Sequence, residues 1–209
     1  MRLQLNPNVR RPTTLHAPPI VPSTILQLKV TLRRVRPPIW RRLEIPASTT
    51  LFELHHILQG AMGWTDSHLH QCVQNGVFYG APDREFGLPM VSERRTRVGD
   101  LLPTVKARLI YEYDFGDGWE HEVVVEALLE AQPDARYPRV MAGKRACPPE
   151  DVGGAPGYAA FLEALADPTH EDHASMFEWI GGPFDAERFD VASANDRLPK
   201  RRRVARPDA

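Results

Sequence analysis

The residue pattern predicts an α+β protein: an antiparallel or mixed β-sheet, roll or β-grasp-like in its hairpin-helix-strands order, packed with a C-terminal helical segment. Three observations carry this. Two runs alternate apolar and polar residues with the period of a half-buried strand, Leu26-Leu28-Val30-Leu32 and Ile39-Arg41-Leu43-Ile45. A well-marked helix follows them, and residues 157–198 read as further helices. The chain has 209 residues, 42% of them hydrophobic and 25% charged, which suffices for one substantial core.

Residues 1–23 are proline-rich and aperiodic and are expected to form a mobile arm ahead of a single domain over 24–198. Within it, 24–128 should hold the sheet and its helix, 129–156 a long loop, and 157–198 the helices; 199–209 is a basic tail. The two alternating runs, joined through Arg36-Pro37-Pro38, predict an antiparallel hairpin. Thr50 and Glu53 then have the spacing of a capping box, in which each side chain satisfies an end amide of the other. Leu54, Ile57, Leu58, Ala61 and Met62 place one apolar stripe toward the hairpin, and Gly63 provides a left-handed stop.

A strand over about 69–73 should turn at Asn75-Gly76 into a partner over 77–79. Residues 81–95 read as a loop. Strands over 108–114 and 119–127 are joined by Phe115-Gly116-Asp117-Gly118, a turn that glycine permits. Residues 132–156 read as irregular. Helices are predicted over about 157–166, over 170–180 with Thr169 as cap, and over 186–198 with Asp185 as cap.

Composition narrows the function classes. The longest apolar runs fall far short of the ~20 residues that a bilayer span needs. Prolines 7, 12, 18, 19 and 22 interrupt any secretory apolar core. Two cysteines, Cys72 and Cys147, form no disulfide framework, and a cytoplasmic location is expected. The net charge is -1, yet no acidic residue precedes Glu44, and Lys200, Arg201, Arg202, Arg203 and Arg206 cluster near the end. Such arms suit either solubility or contact with phosphates of a nucleic acid.

Several groups could carry chemistry. His68, His70 and Cys72 stand two apart on the predicted strand, which puts them on one face about 7 Å from one to the next. They would suit zinc or another divalent metal, with a further ligand from Asp114, Asp117, His121, Cys147 or Glu150. His121 shares a face with Trp119, Val123 and Val125, so it needs a buried partner; Asp114 or Glu150 would serve. Such a pair is either a general base or a satisfied core histidine. Cys147 lies near Lys144 and Arg145 but also near Glu150 and Asp151, which suits a structural loop better than a thiolate nucleophile. Trp40, Arg41, Arg42, Trp64 and Trp119 have the composition of a binding surface, or of core.

Three segments, Arg36-Pro37-Pro38-Ile39-Trp40-Arg41-Arg42, Gly63-Trp64-Thr65-Asp66-Ser67-His68-Leu69-His70 and Tyr111-Glu112-Tyr113-Asp114-Phe115-Gly116-Asp117-Gly118-Trp119-Glu120-His121, are joined by Cys147-Pro148-Pro149-Glu150-Asp151-Val152-Gly153-Gly154 and Gly157-Tyr158. In this order they resemble the plasmid pRiA4b ORF-3-like family, also labelled a transposon-passenger, TnpR-like family. The resemblance covers roughly 24–198 and departs at Cys72, where the family pattern prefers an aromatic residue. It implies an α+β fold and a plasmid or mobile-element setting, and no mechanism. Neither the serine-arginine nor the tyrosine-arginine-histidine set of a recombinase is present. The expectation is a non-catalytic accessory or binding module with a protein or nucleic-acid partner; the rival is a metal-assisted hydrolase built from the His/Asp/Cys residues.

Overall fold

The computed structural model describes residues 23–81, 90–200 and 204. The proline-rich arm and nearly all of the basic tail lie outside these residues. The predicted hairpin is formed by β1 (Thr24–Leu32) and β2 (Trp40–Pro46), with Leu28 opposite Leu43. Helix α1 (Leu51–Met62) begins at the capping box: the Thr50 hydroxyl accepts from Glu53 N at 3.2 Å, and Glu53 accepts from Thr50 N at 2.8 Å. It ends at Gly63, whose φ of 96° is open to glycine at no steric cost.

Strands β3 (His70–Gln74) and β4 (Val77–Gly80) meet through Asn75 and Gly76, both at positive φ. Then come β5 (Val91–Ser92), α2 (Val98–Leu101), β6 (Arg108–Tyr113), β7 (Trp119–Glu130) and β8 (Arg139–Lys144). The sheet runs β5-β4-β3-β6-β7-β1-β2-β8, antiparallel except between β4 and β5. Helices α3 (Gly154–Ala166), α4 (His173–Ile180) and α5 (Val191–Asp196) complete the α+β architecture.

The alternation decides which side of the sheet is covered. Leu26, Leu28, Val30 and Leu32 of β1, Leu43 and Ile45 of β2, and Val123 and Val125 of β7 are at most 1% exposed and pack in one core with Leu54, Leu58 and Ala61 of α1. Each such aliphatic side chain contributes about 1.5–3 kcal/mol on burial. The other side carries cross-strand ion pairs, Arg42 with Glu126 at 2.5 Å and Arg108 with Glu122 at 3.3 Å. Arg41 is the charged exception on the apolar side. It follows the alternation inward, is 1% exposed, and donates to the carbonyls of Ala61, Trp40 and Lys144 at 2.9–3.0 Å.

Several expectations are corrected. The 81–95 loop contains β5, which pairs parallel to β4 but at two residues is too short to show a period. The irregular 132–156 stretch contains β8, an outer strand with Val140 alone fully buried; a register shift at Arg42/Leu43 of its partner disrupts the alternation. Helix α3 starts at Gly154, ahead of the predicted 157. Thr169 donates its hydroxyl to Asp167 instead of capping α4, which starts at His173. Asp185 accepts from Glu187 N in a local turn, so α5 starts later, with Asp190 as its cap.

Candidate functional site

Segments 63–70, 111–121 and 147–154 meet at one end of the sheet, and each is held there by identifiable bonds. Beyond Gly63, Trp64 turns into the core and its indole N–H donates to Pro148 O at 3.0 Å. Thr65 donates from its amide and hydroxyl to Glu150 at 3.0 and 2.5 Å. Tyr113 at the end of β6 donates its hydroxyl to the other Glu150 oxygen at 2.5 Å and accepts from Ser67 N and His68 N at 2.9 and 3.3 Å. Burial, with Glu150 next, keeps that phenol protonated well above the usual range.

Asp114 closes the β6–β7 turn in the left-handed region, φ 57°, and its carboxylate accepts from the amides of Gly116 and Asp117. Asp117 accepts from Gly153 N at 3.1 Å, tying this turn to the proline-bearing loop. The closest approach is at Gly154, where an added Cβ would lie 2.4 Å from Asp117 O.

Two histidine-carboxylate clusters result. In the first, His68 Nε2 lies 3.1 Å from Asp151 Oδ1 and 3.7 Å from Asp114 Oδ2; this nitrogen is shielded from solvent yet makes no hydrogen bond. Asp151, like Asp114, has a positive φ, 61°. Aspartate tolerates this region better than most residues, but two such backbones aiming carboxylates at one imidazole form an unusual arrangement. The three ligand atoms lie within 4.8 Å of one another.

In the second cluster, His55 and His56 of α1 face Asp66 at 2.7 and 3.5 Å. Here the donors are satisfied. Burial, followed by His70, lowers the His55 pKa to about 4 in spite of Asp66, so the ring is neutral at neutral pH. A neutral ring that donates from Nε2 to Asp66 must accept at Nδ1, and Tyr111 OH is 2.8 Å away; Gln59 Nε2 donates to that hydroxyl in turn at 3.0 Å. Asp66 N closes the circuit on Gln59 Oε1 at 3.0 Å.

The histidines and cysteines grouped from sequence are thereby separated. His68 precedes β3 instead of lying on it. His70 stacks on His55 and reaches Glu93 at 2.8 Å. Cys72 is buried, and Cys147 faces Arg41, with burial pushing its thiol up to about 12. His121 does point into the core, as the alternation predicts, but neither Asp114 nor Glu150 serves it. Neither ring nitrogen makes a well-aligned hydrogen bond, its edge meets Trp64, and burial lowers its pKa to about 4 against the weak opposing pull of the Tyr111 and Trp119 backbone.

Glu150 and Asp117 act as ties between loops. Trp64 and Trp119 are core residues, Arg42 pairs with Glu126, and Trp40 is half-buried beneath Lys29 and Arg42. His55, His56 and Asp151 were missed as site residues. The signal for His55 was present: it occupies the helical stripe of Leu51, Leu54 and Leu58, where a polar residue needs a reason.

A one-sided sheet, with a histidine-carboxylate cluster built from three loops at its end, defines the class as an α+β protein with a polar end site. Its sequence matches the model of the family described as plasmid pRiA4b ORF-3-like protein over residues 24–193, and the chain belongs to that family. The family description contains no recombinase or transposon term. Similar proteins include the uncharacterized protein y4hQ of Sinorhizobium fredii (strain NBRC 101917 / NGR234), 42% identical over 174 residues, covering 83% of this chain and 87% of that one. The crystal structure of protein of unknown function MM3350 from Methanosarcina mazei Go1 matches with a TM-score of 0.73 at 36% identity, covering 81% of this chain and 96% of that chain. No described helix is long and apolar enough to cross a membrane.

Proposed function

We propose that the protein is a binding module that takes a divalent cation at His68, Asp114 and Asp151. The observation that carries this reading is His68 Nε2, shielded from water, without a hydrogen bond, and directed between two carboxylates at 3.1 and 3.7 Å. Donors about 2.0–2.1 Å from a tetrahedral zinc ion lie roughly 3.3 Å from each other, so these spacings fit a shared ion with little rearrangement. One imidazole and two carboxylates suit zinc or manganese, and three protein ligands leave a position open for a bound partner group.

Binding is favoured over catalysis because the neighbouring acids are already committed. Glu150 holds Thr65 and Tyr113, and Asp117 holds Gly153 N, so neither is a free general base. The test is elemental analysis of purified protein, followed by calorimetric titration of the metal-stripped chain with zinc and with manganese. One ion per chain is expected, with affinity falling about 100-fold or more in His68→Gln and Asp114→Asn. Equal binding by these variants and the parent protein would overturn the reading.

A further inference from the structure

Between α1, β2 and the segment leading into α5 lies a cleft of about 400 Å³, within the range of small-molecule sites. It is separate from the His68 cluster, with Glu150 at its border. Arg41, Arg188 and Arg197 line it, and among the described residues none of the three forms an ion pair. Arg41 is the telling member. A guanidinium so fully buried normally has a carboxylate partner, because desolvating an uncompensated charge costs several kcal/mol. Here it has backbone carbonyls on one side and the Phe189 ring at 3.9 Å.

The anions available nearby do not meet this need. Glu150 is held by Tyr113 and Thr65. Asp190 accepts from Ser193 N at 2.7 Å as the cap of α5 and has Arg188 and Arg197 as electrostatic neighbours without an ion pair to either. Arg197 donates to Gly60 O at 3.1 Å, so Arg41 is the guanidinium left without an anion. Cys147 faces Arg41, but burial keeps its thiol protonated at neutral pH. One part of the remaining wall is apolar, formed by Trp64, Ile180 and Phe184, and Ser193 adds a polar group beside it. A cationic floor with apolar walls recognises a charged oxygen group joined to a greasy body.

We propose that this cleft binds a small organic oxyanion, a carboxylate or phosphate ester joined to an apolar group. The ligand's oxygens complete the hydrogen bonding of the three guanidiniums, and its apolar part lies against Trp64 and Phe184. This site does not depend on the cation reading, since none of its arginines touches His68, Asp114 or Asp151.

Calorimetric titration of the full chain with phenyl phosphate, benzoate and inorganic phosphate in low-chloride buffer tests it. At least one aromatic anion should bind below about 10 mM and more tightly than inorganic phosphate; whichever of the two is preferred identifies the head group. Arg41 is too deeply embedded for a clean variant, so the exposed pair is replaced instead. Arg188→Gln/Arg197→Gln should keep the parent's melting temperature within a few degrees and weaken the preferred anion by about tenfold or more. His68→Gln should bind it as the parent does, which separates this test from the cation experiment. Absence of binding by both aromatic anions, equal binding by the double variant, or inorganic phosphate matching the aromatic anions would overturn the proposal.

Discussion

The imidazoles of His55 and His70 lie face to face, their centroids 3.5 Å apart and their planes inclined by 4°. Two rings so close cannot both carry charge in a buried setting. His55 is the one held neutral, at about 4, by burial and by His70, and His121 is held at a similar value by burial. Both folded values lie below the unfolded value of about 6.5, so the unfolded chain binds more protons between these limits. The stabilisation is therefore present above pH ~6.5 and lost as pH falls toward 4. Each histidine is expected to remove up to about 3 kcal/mol over that interval. Urea denaturation at several pH values from 7.5 to 4.5 checks this; a flat stability profile would contradict it.

His121 isolates one half of that effect. It packs against Trp64 and Tyr111 with neither nitrogen in a well-aligned hydrogen bond, so desolvation of the polar ring outweighs what the backbone of Tyr111 and Trp119 returns. Replacing it by leucine, of similar bulk, is expected to leave stability at pH 7 unchanged or raise it by about 1–2 kcal/mol. The same variant should lose part of the acid-dependent destabilisation. A loss of more than about 1 kcal/mol at pH 7 would show that the imidazole has a partner after all.

Residues such as these show where sequence was a sufficient guide. The inward direction of His121 follows from its alternation with Trp119, Val123 and Val125, and that of Arg41 from Ile39, Leu43 and Ile45, because strand periodicity is local. The capping box at Thr50 and the Gly63 stop were legible for the same reason. Partners were not legible. His68 meets Asp151 across 83 positions of chain, and Glu150 meets Thr65 across 85. Such pairings depend on how three loops close at the sheet end, and no periodicity encodes them. Strand β8 escaped notice because an outer strand with one fully buried side chain leaves little alternation to read.

Tyr113 joins two of those loops. Its hydroxyl is donor to Glu150 and acceptor for two amides of the 64–69 segment. Tyr113→Phe leaves the ring packing against Trp64 but strands the Ser67 amide and one oxygen of Glu150. A loss of about 1–3 kcal/mol in stability is expected from urea unfolding. Because His68 is the next residue on the loosened loop, zinc affinity should also fall, by roughly tenfold to 100-fold. Unchanged stability together with unchanged affinity would mean that the hydroxyl does not set the loop.

Gly154 makes the corresponding join on the other side of the cluster. Its φ of 67°, and the mere 2.4 Å that would separate an added Cβ from Asp117 O, leave no room for a side chain. The obstacle is backbone, not a flexible side-chain tip, so the start of α3 and the β6–β7 turn must move apart if one is introduced. Separation breaks the bond from Gly153 N to Asp117 and displaces Asp151, which lies just ahead of Gly153, from His68. Gly154→Ala is accordingly expected to cost about 2–4 kcal/mol from left-handed strain, the clash and the lost hydrogen bond together. Cation binding at His68 should weaken in parallel, whereas Gly181→Ala, at φ 79° with nothing within 4 Å of the added carbon, should show the strain alone, about 1 kcal/mol, and normal binding. Denaturation and zinc titration of the two variants side by side provide the check, and similar losses in both would place the coupling between α3 and the turn in doubt.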